Sequence, residues 1–375
     1  MEILIYIFSF LLLVSVIVFL HELGHYYFAK RYGVKVTRFL ICGLPFFGLD
    51  KEFIGWTDKS GTRWSIGYFP LGGFVDFFGS NDMLLNQEEI KKKYSSEDQK
   101  FLLQNKKTYQ KILFAFGGPL ANFLTAIIIF SFISIFIGKD FSPALVSNVT
   151  DNSPAQEAGI LAGDKIIKIN GHEVISVRDV TKFISISLTK SINVVVERDG
   201  AKKTFDIIPM YIEDNRQITS RKKAKRRVIG ISLVTPQNKN YLERLGLSKA
   251  LYFALKDLIF LSKYTLIHFG NLLIGKVDLT NLSGPIGIAQ LSGELIQIGF
   301  IPFLLLMAHL SISLGLINLF PIPVLDGGHI MFFVIEKILG RPIKKETLEF
   351  LFRIGMSLLI FLMFFTFYVD IINFS

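Results

Sequence analysis

The sequence has a single cysteine, Cys42, and few charged residues. One cysteine excludes an intramolecular disulfide and any zinc site built from several cysteines. Charged residues make up 19% of the chain and hydrophobic residues 51%, whereas soluble domains carry about 25% charged residues. The mean hydropathy is +0.46. Intrinsic disorder is excluded as well, because 37 phenylalanines can bury a large apolar surface. The composition therefore predicts a membrane protein.

Four apolar stretches are long enough to cross a bilayer, since a hydrocarbon core of ~30 Å requires about 20 helical residues. The predicted spans are approximately 3–29, 112–137, 302–320 and 354–370. A signal peptide is a poor explanation of the first span, because the chain begins Met1-Glu2 without a basic segment. A further apolar stretch, 240–276, is interrupted by charged residues. It is predicted to be an amphipathic helix lying along the membrane interface.

The distribution of basic residues predicts the orientation. Loop 30–111 holds 14 Lys and Arg against nine Asp and Glu, and loop 336–353 holds five against three. Short basic loops favour the cytoplasmic side, so both termini and the region 139–300 are expected outside. The basic cluster 221–227 in that outer region counts against this orientation. Long translocated segments largely ignore the rule, however, and a patch facing anionic lipid explains the cluster better than nucleic-acid binding.

Residues 145–235 have the composition of a soluble domain. Turn signals such as Asn170-Gly171 and Asp199-Gly200 separate short β-branched runs. This pattern predicts a small, mostly β domain with one helix near residues 177–187. The run 153–164, followed by 166–171, resembles the bacterial PDZ domain. That resemblance implies that the domain binds an extended peptide end along the edge of a sheet.

The motif His21-Glu22-Leu23-Gly24-His25 lies at the end of the first predicted span. Residues four apart share one face of a helix, so both imidazoles can reach one zinc ion. The carboxylate of Glu22, beside a ligand, can accept a proton from the attacking water. Ionisable groups directly after a long apolar run are costly and are usually functional. The sequence therefore predicts a catalytic metal site.

Residue chemistry offers more than one candidate for the third ligand. The other histidines are His172, His268, His309 and His329. Asp326 is the first charged residue after a long apolar stretch and is followed by two glycines, which let the backbone turn sharply. His329 lies close enough to compete. Residue chemistry favours Asp326 but leaves both open.

The histidine motif, paired with the segment 318–328 (Asn-Leu-Phe-Pro-Ile-Pro-Val-Leu-Asp-Gly-Gly), resembles the signature of the site-2 protease family. Members of this family are intramembrane zinc metalloproteases. The resemblance extends to the glycine-rich segments 69–75, 116–123 and 282–289, and to the PDZ-like insert. The pairing of the two motifs is specific, whereas the glycine-rich segments alone are not.

The resemblance implies one zinc ion per chain, held by His21, His25 and Asp326, with Glu22 as the general base. Segment 64–79 resembles the family's membrane re-entrant β-loop, which can pair with an extended substrate strand. The substrate-binding residues implied are Asn318, Pro323, Gly72 and Gly73. From the residues alone, Asn318 could equally well cap the end of its helix. Some members carry two PDZ domains in tandem, but this chain has room for only one.

The predicted fold is a polytopic α-helical membrane protein with four transmembrane helices, a re-entrant β-loop and one PDZ-like domain. Its membrane core has two parts, 1–140 and 295–375. The resemblance implies a protein of the bacterial inner membrane, with the active site towards the cytoplasm and the PDZ-like domain outside. The expected partners are the lipid bilayer, peptide ends and single-span membrane proteins, but not nucleic acid. In the family these substrates include pre-trimmed anti-sigma factors and signal-peptide remnants.

Two alternatives belong to other functional classes. A catalytically inactive, membrane-anchored PDZ scaffold would have no need of a base beside the metal ligands. A cation transporter would also place His and Asp within helices, but transporters usually consist of two repeated halves. The sequence shows no such repeat, and a peptide-binding insert has no role in transport.

Overall fold

A computed structural model of the chain describes residues 2–43, 48–70, 72–80, 87–187, 189–214, 224–236, 240–275 and 283–374. Parts of several predicted features lie outside these residues. Leu71 belongs to the segments 69–75 and 64–79, residues 188 and 215–223 to the PDZ-like domain with its basic cluster, residue 276 to the predicted interfacial helix, and Leu282 to the segment 282–289. The described residues form two compact units. Unit 1 comprises 1–130 with 254–372, and unit 2 comprises 131–253 with 373–375.

The helices within the described residues are α1 (Glu2–Arg31), α2 (Gln87–Lys93), α3 (Thr108–Phe136), α4 (Pro154–Ala158), α5 (Val177–Ile186), α6 (Leu247–Leu273), α7 (Pro285–Ile298), α8 (Phe300–Asn318), α9 (Asp326–Leu339) and α10 (Lys345–Phe374). Helices α1, α3, α8 and α10 are long and apolar enough to cross a membrane. Within the described residues, the predicted number of four helices of this length and composition is confirmed. Of the stretch 240–276 predicted to lie along the interface, Leu247–Leu273 forms one helix, α6, and the strand Leu242–Glu243 precedes it.

Helix α1 faces the interior of unit 1 along a narrow stripe. Its buried residues recur at every fourth position: Ser9, Leu13, Ile17, His21, His25 and Ala29. Fourth-residue spacing follows one side of an α-helix, while the large apolar side chains on the other side stay exposed, as lipid-facing residues do. The stripe therefore carries both histidines of the motif into the interior.

Helices α1 and α3 approach each other at a pair of glycines. A Cβ atom on Gly24 would lie 2.1 Å from the carbonyl oxygen of Gly117, and one on Gly117 would lie 2.6 Å from the carbonyl oxygen of Gly24. Only glycine permits backbones to come this close, as it does at packed helix crossings in membranes. The crossing lies within one turn of His21 and His25.

A four-stranded sheet lies between α1 and α2 in the chain. Its strands are β1 (Val36–Ile41), β2 (Glu52–Thr57), β3 (Arg63–Gly67) and β4 (Gly73–Phe77), in the spatial order β2-β3-β1-β4. Strand β1 runs parallel to β3 and antiparallel to β4. Segment 64–79, predicted as a re-entrant β-loop, supplies only the last two of these strands. The other two were not predicted.

Aromatic packing anchors this sheet to α1. Phe39 of β1 is fully buried. Its ring stacks on Trp64 of β3, with 4.5 Å between centroids, and makes edge contacts with Phe19 and Tyr26 of α1. The carboxylate of Asp58, after β2, accepts hydrogen bonds from Ser60 and from the Trp64 indole, which hold the pKa of Asp58 below its usual range. The sheet is thus held against the helix that carries the histidines.

Unit 2 contains the remaining described strands: β5 (Lys139–Asp140), β6 (Leu145–Val149), β7 (Lys165–Ile169), β8 (His172–Glu173), β9 (Ile192–Arg198), β10 (Ala201–Ile207), β11 (Met210–Asp214), β12 (Ala224–Val228), β13 (Ile231–Val234) and β14 (Leu242–Glu243). Its main sheet has the order β10-β9-β7-β6-β13, with β8 paired to β7. Residues Ile192, Val194 and Val196 of β9 are buried in alternation, as expected for a strand with one covered face. A mostly β insert is confirmed.

Two details of unit 2 differ from the prediction. It has a second helix, α4, which Ser153 caps by accepting a hydrogen bond from the backbone of Gln156. Arg227 of the basic cluster does not belong to a lipid-facing patch. Its side chain is buried and donates hydrogen bonds to the backbone carbonyls of Ser187 and Thr189. Counting charges could not separate this structural arginine from its basic neighbours.

Candidate metal centre

The turn between α8 and α9 brings a carboxylate to the histidines. Helix α8 ends at Asn318, and α9 begins with Asp326. Gly327 makes this turn compact, because a Cβ atom there would lie 2.3 Å from the carbonyl oxygen of Leu319. Val324 has φ = 91°, a conformation that β-branched residues rarely adopt and that indicates local strain. The two prolines and the glycines thus place Asp326 at the start of a helix.

The side chains of His21, His25 and Asp326 converge. The distance from His21 Nε2 to Asp326 Oδ2 is 3.2 Å, and that from His25 Nε2 to Asp326 Oδ1 is 3.4 Å. The two Nε2 atoms are 3.2 Å apart. Donor atoms about 2.0–2.1 Å from a tetrahedral zinc ion lie about 3.4 Å from one another. The measured distances are close to that spacing.

The surroundings of these donors also suit a cation. Asp326 Oδ2 is buried and makes no hydrogen bond within the described part of the chain. Gly118 of α3 leaves the space beside the imidazoles open, because a Cβ atom there would lie 2.4 Å from His25 Nε2 and 2.5 Å from His21 Nε2. Two imidazoles and a carboxylate form a donor set that zinc accepts, with a fourth position left for water. The residues therefore fit a catalytic zinc ion.

Each imidazole also has a contact on its far side. The Nδ1 atom of His25 lies 2.9 Å from the backbone carbonyl oxygen of Phe114, and Nδ1 of His21 lies 3.1 Å from the side-chain amide of Asn122. Contacts of this kind orient metal-binding histidines so that Nε2 faces the ion. Both supporting residues lie on α3. Their role was not predicted, because it depends on the crossing of α1 and α3, although Asn122 stood out as a polar residue in an apolar span.

Glu22 projects towards strand β4. Its Oε2 atom accepts a hydrogen bond of 3.1 Å from the backbone N–H of Val75. In the pairing of β1 with β4, Val75 lies opposite Phe39. Because the Val75 N–H bonds to Glu22, it points away from β1 and towards the open side of β4. The sheet thus fixes the carboxylate at the edge of the metal centre.

A cavity of about 510 Å³ contains the converging side chains, together with Glu22. Asn318, Phe74 and Val75 contribute to its wall, as do His329 and Phe333. Of the other predicted substrate-binding residues, Pro323, Gly72 and Gly73 are not among those lining this cavity. Pro323 instead packs against α10, where a Cβ atom on Gly355 would lie 2.1 Å from the proline carbonyl oxygen.

Among the described residues, the other histidines do not join the three converging donors. His329 lines the cavity but does not join the cluster of His21, His25 and Asp326, and its ring packs near Phe332, Phe333 and Phe352. His309 bonds to the backbone of its own helix. His172 is exposed on unit 2 and stacks on Phe183. Residue chemistry left the choice between Asp326 and His329 open. In the described residues, the carboxylate of Asp326 lies beside the two imidazoles of the motif, whereas His329 lies on the cavity wall.

Comparison with known proteins adds independent information. Part of the chain, 26% of its length, is similar to the PDZ domain of an SdrC-like protein from Listeria monocytogenes, a solved structure of which 92% is covered, with 23% identity and a TM-score of 0.21. A protein of Agrobacterium fabrum that carries the name of a zinc metalloprotease is 36% identical over 98% of this chain and 95% of its own length. Metalloprotease MmpA of Caulobacter vibrioides is 31% identical over 97% and 94%, respectively.

The sequence profile of peptidase family M50 matches residues 9–362. That match begins inside α1 and ends inside α10, so it takes in all three converging side chains and the insert. It agrees with the similarity to metalloproteases along nearly the whole chain. The resemblance seen in the sequence is thereby confirmed: the chain belongs to peptidase family M50, the site-2 proteases, and is a zinc metalloprotease.

Proposed function

We propose that the protein is an intramembrane protease that cleaves the transmembrane segments of single-span membrane proteins. One zinc ion per chain would be held by His21, His25 and Asp326. The observation that carries this proposal is the near-tetrahedral spacing of the three donors, 3.2 to 3.4 Å, among helices apolar enough to cross a membrane. Such a location gives the reaction direct access to peptide bonds within the bilayer.

The chain's own groups account for proton transfer. When bound, zinc polarises the scissile carbonyl and lowers the pKa of water towards about 7. Glu22, positioned by the Val75 N–H, accepts the proton of the attacking water and passes it to the leaving amine. Asp326 balances the charge of the site. The surrounding apolar side chains exclude bulk water and strengthen these interactions.

The open edge of β4 supports a mode of substrate binding. A peptide bond in a helix is shielded by its own turn, so the substrate must first unwind. Among the described strands β4 pairs only with β1, and Phe74, Val75 and Phe77 of β4 line the cavity. An extended substrate can add to this edge as a further strand. Gly72 and Gly73 would give it close access to the backbone, and Asn318 would hydrogen-bond the unwound chain, with Pro323 shaping the turn behind it.

The insert offers a second place for a peptide. Within the described residues β13 pairs on one side only, with β6. Its other edge can accept a peptide end by strand addition. We assign this role to the PDZ-like domain, on the outer side of a bacterial inner membrane, while the metal centre faces the cytoplasm. Substrates of this class include the remnants of anti-sigma factors and signal peptides after a first cleavage outside the membrane.

The deciding experiment compares the wild type with Glu22→Gln on a model single-span substrate in detergent, with zinc content measured in parallel. Cleavage within the span by the wild type alone, with zinc retained in the variant, is the expected result. A wild type that binds zinc but cleaves none of several unrelated single-span substrates would contradict the proposal. It would favour a catalytically inactive, membrane-anchored PDZ scaffold, which predicts that Glu22→Gln leaves function unchanged.

A further inference from the structure

We propose that Asn122 is a positioning residue for the metal centre, whose amide oxygen accepts a hydrogen bond from Nδ1–H of His21. The proposal rests on the zinc site of the proposed function. The Asn122 side chain is fully buried in α3, and its amide group lies 3.1 Å from His21 Nδ1. Its oxygen, Oδ1, makes no hydrogen bond within the described part of the chain when the amide nitrogen faces the ring.

The two orientations of the amide have opposite consequences for His21. If the amide nitrogen donates to Nδ1, the hydrogen of a neutral imidazole must sit on Nε2, the atom that faces Asp326. A ring in that tautomer has no lone pair on Nε2 for a metal ion. If the amide turns by 180°, Oδ1 accepts from Nδ1–H and the lone pair of Nε2 points into the centre. Only the second orientation is compatible with a zinc ligand.

His25 already shows the arrangement that we infer for His21. Its Nδ1 atom lies 2.9 Å from the carbonyl oxygen of Phe114, a group that can only accept. Phe114, Gly118 and Asn122 are spaced four apart, so they follow one face of α3. Along that face a backbone oxygen supports one imidazole, a bare glycine leaves room for the ion, and an amide oxygen supports the other imidazole. Metal-binding histidines normally have such an acceptor behind them.

Helix α8 holds Asn122 in place. The hydroxyl of Ser311, which is fully buried, donates a hydrogen bond of 2.9 Å to the backbone carbonyl oxygen of Asn122. This bond satisfies a backbone acceptor in an apolar helix and ties it to a second helix. The backbone of Asn122 is therefore held in place, so its side-chain amide can orient the ring of His21.

The test measures zinc affinity of the purified full-length chain by competition with a chelator, and the absorption spectrum after Co²⁺ substitution. Asn122→Leu removes the acceptor and should weaken zinc binding by about 10–100-fold. Asn122→Asp keeps an acceptor in nearly the same shape and should stay within a few-fold of the wild type, with an unaltered cobalt spectrum. Thr125→Val is the matched control, because the buried Thr125 hydroxyl donates its hydrogen bond to the backbone carbonyl oxygen of Ala121 within α3.

The outcomes are distinguishable. The proposal is overturned if Asn122→Leu binds zinc as tightly as the wild type, or if Asn122→Asp loses as much affinity as Asn122→Leu. His21→Ala separates this question from the site itself. If His21→Ala retains full zinc affinity, the proposed metal site is wrong; if His21→Ala loses zinc while Asn122→Leu does not, only the role of Asn122 fails.

Discussion

Gly118 determines whether an ion can enter between the two imidazoles. A Cβ atom on Gly118 would lie 2.4 to 2.5 Å from both Nε2 atoms, so a side chain there would occupy the space beside the converging donors. The sequence does not indicate that Gly118 leaves space beside the imidazoles, because a glycine in an apolar span usually indicates close helix packing. Its neighbour Gly117 does have that packing role, against Gly24.

We predict that Gly118→Ala weakens zinc binding at least about tenfold without unfolding the protein. The added methyl group would lie about 2.4 Å from the histidine nitrogens, while alanine favours a helix more than glycine does. The zinc affinity should fall at least about tenfold, which corresponds to about 1.4 kcal/mol, and zinc content measured by elemental analysis after dialysis at limiting zinc should fall with it. The matched control is Gly270→Ala in α6, where the new methyl group meets no atom within 4 Å. Equal zinc content in the two variants would contradict the prediction.

Asp164 makes unit 2 sensitive to acid. Its carboxylate is fully buried and accepts two hydrogen bonds from the Arg198 guanidinium, at 2.6 and 2.7 Å, and one from the Leu161 backbone. Burial raises the pKa of Asp164, but the hydrogen bonds and the charge of Arg198 outweigh that effect and lower it below its ordinary value. The resulting stability is present above the unfolded pKa of about 3.9 and is lost as the pH falls through the folded pKa.

Asp164→Asn should therefore destabilise unit 2 by about 3 kcal/mol near neutral pH and remove this acid dependence, because it leaves Arg198 unpaired. Calorimetric unfolding of the full-length chain between pH 3 and pH 7 measures both effects. The exposed pair Lys165–Glu197 provides the control, and Lys165→Ala should change stability by less than about 1 kcal/mol. If Asp164→Asn loses stability at low pH as much as the wild type does, a group other than Asp164 causes the acid dependence.

At the scale of residues, the sequence indicates the side chains of the candidate site, but not the backbone groups that hydrogen-bond to them. His21, Glu22 and His25 are readable from their spacing alone, whereas Asp326 needed the family resemblance to separate it from His329. The carbonyl of Phe114 and the N–H of Val75 belong to the backbone, which every residue shares, so no pattern of residue types indicates them. Their positions arise only when α1 meets α3 and β4.

At the scale of elements, the N-terminus of α7 is capped by a carboxylate from another helix. The side chain of Asp370 in α10 is buried and accepts hydrogen bonds from the backbone N–H groups of Gly284, Ile286 and Gly287. The first N–H groups of a helix lack partners within it, and an anion there is stabilised by the helix dipole. Here the cap comes from a residue more than 80 positions along the chain.

We expect Asp370→Ala to release the start of α7, which would leave three N–H groups without an acceptor. The cost should be about 1–3 kcal/mol. Hydrogen exchange measured by mass spectrometry should quicken at residues 284–288, while exchange in α3 stays unchanged. Asp370→Asn, which keeps one acceptor, should give an intermediate effect. Unchanged exchange in Asp370→Ala would mean that the cap contributes nothing to α7.

Helices and strands were predictable when a long or periodic run of apolar residues indicated them, and were missed when they were short. Long apolar runs identified α1, α3, α8 and α10, because a helix that faces lipid needs about 20 such residues. Strand β1 was missed, since it is short and the burial of residues such as Phe39 depends on contacts with α1 that are made only in the folded state. Strand β2 is equally short, and none of its residues is buried. Helix α4, five residues long, is too short for periodicity to indicate.

At the scale of the whole molecule, the orientation in the membrane remains a prediction from the basic loops. The single native cysteine makes a direct test simple, because Cys42→Ser yields a background without thiols. Lys92 in α2 and Lys202 in β10 are both exposed, and they lie in the predicted cytoplasmic loop and in the insert. Each can be replaced by cysteine singly.

In intact spheroplasts, a membrane-impermeant maleimide should label the Lys202→Cys variant, because the insert is expected outside. The Lys92→Cys variant should react only after the membrane is permeabilised. Labelling of both after permeabilisation serves as the control for reactivity. The reverse pattern in intact spheroplasts would invert the orientation and place the metal centre towards the outer side.

The contact between Gly24 and Gly117 has a consequence for how this protein can change over generations. The distance between α1 and α3 at this crossing is determined by the contact of main chain against main chain. Substitutions among the exposed apolar side chains of α1 therefore leave that distance unaltered, provided that they remain apolar. The exposed apolar surface of α1 is therefore free to vary in sequence, while the separation of α1 and α3 beside His21 and His25 stays the same.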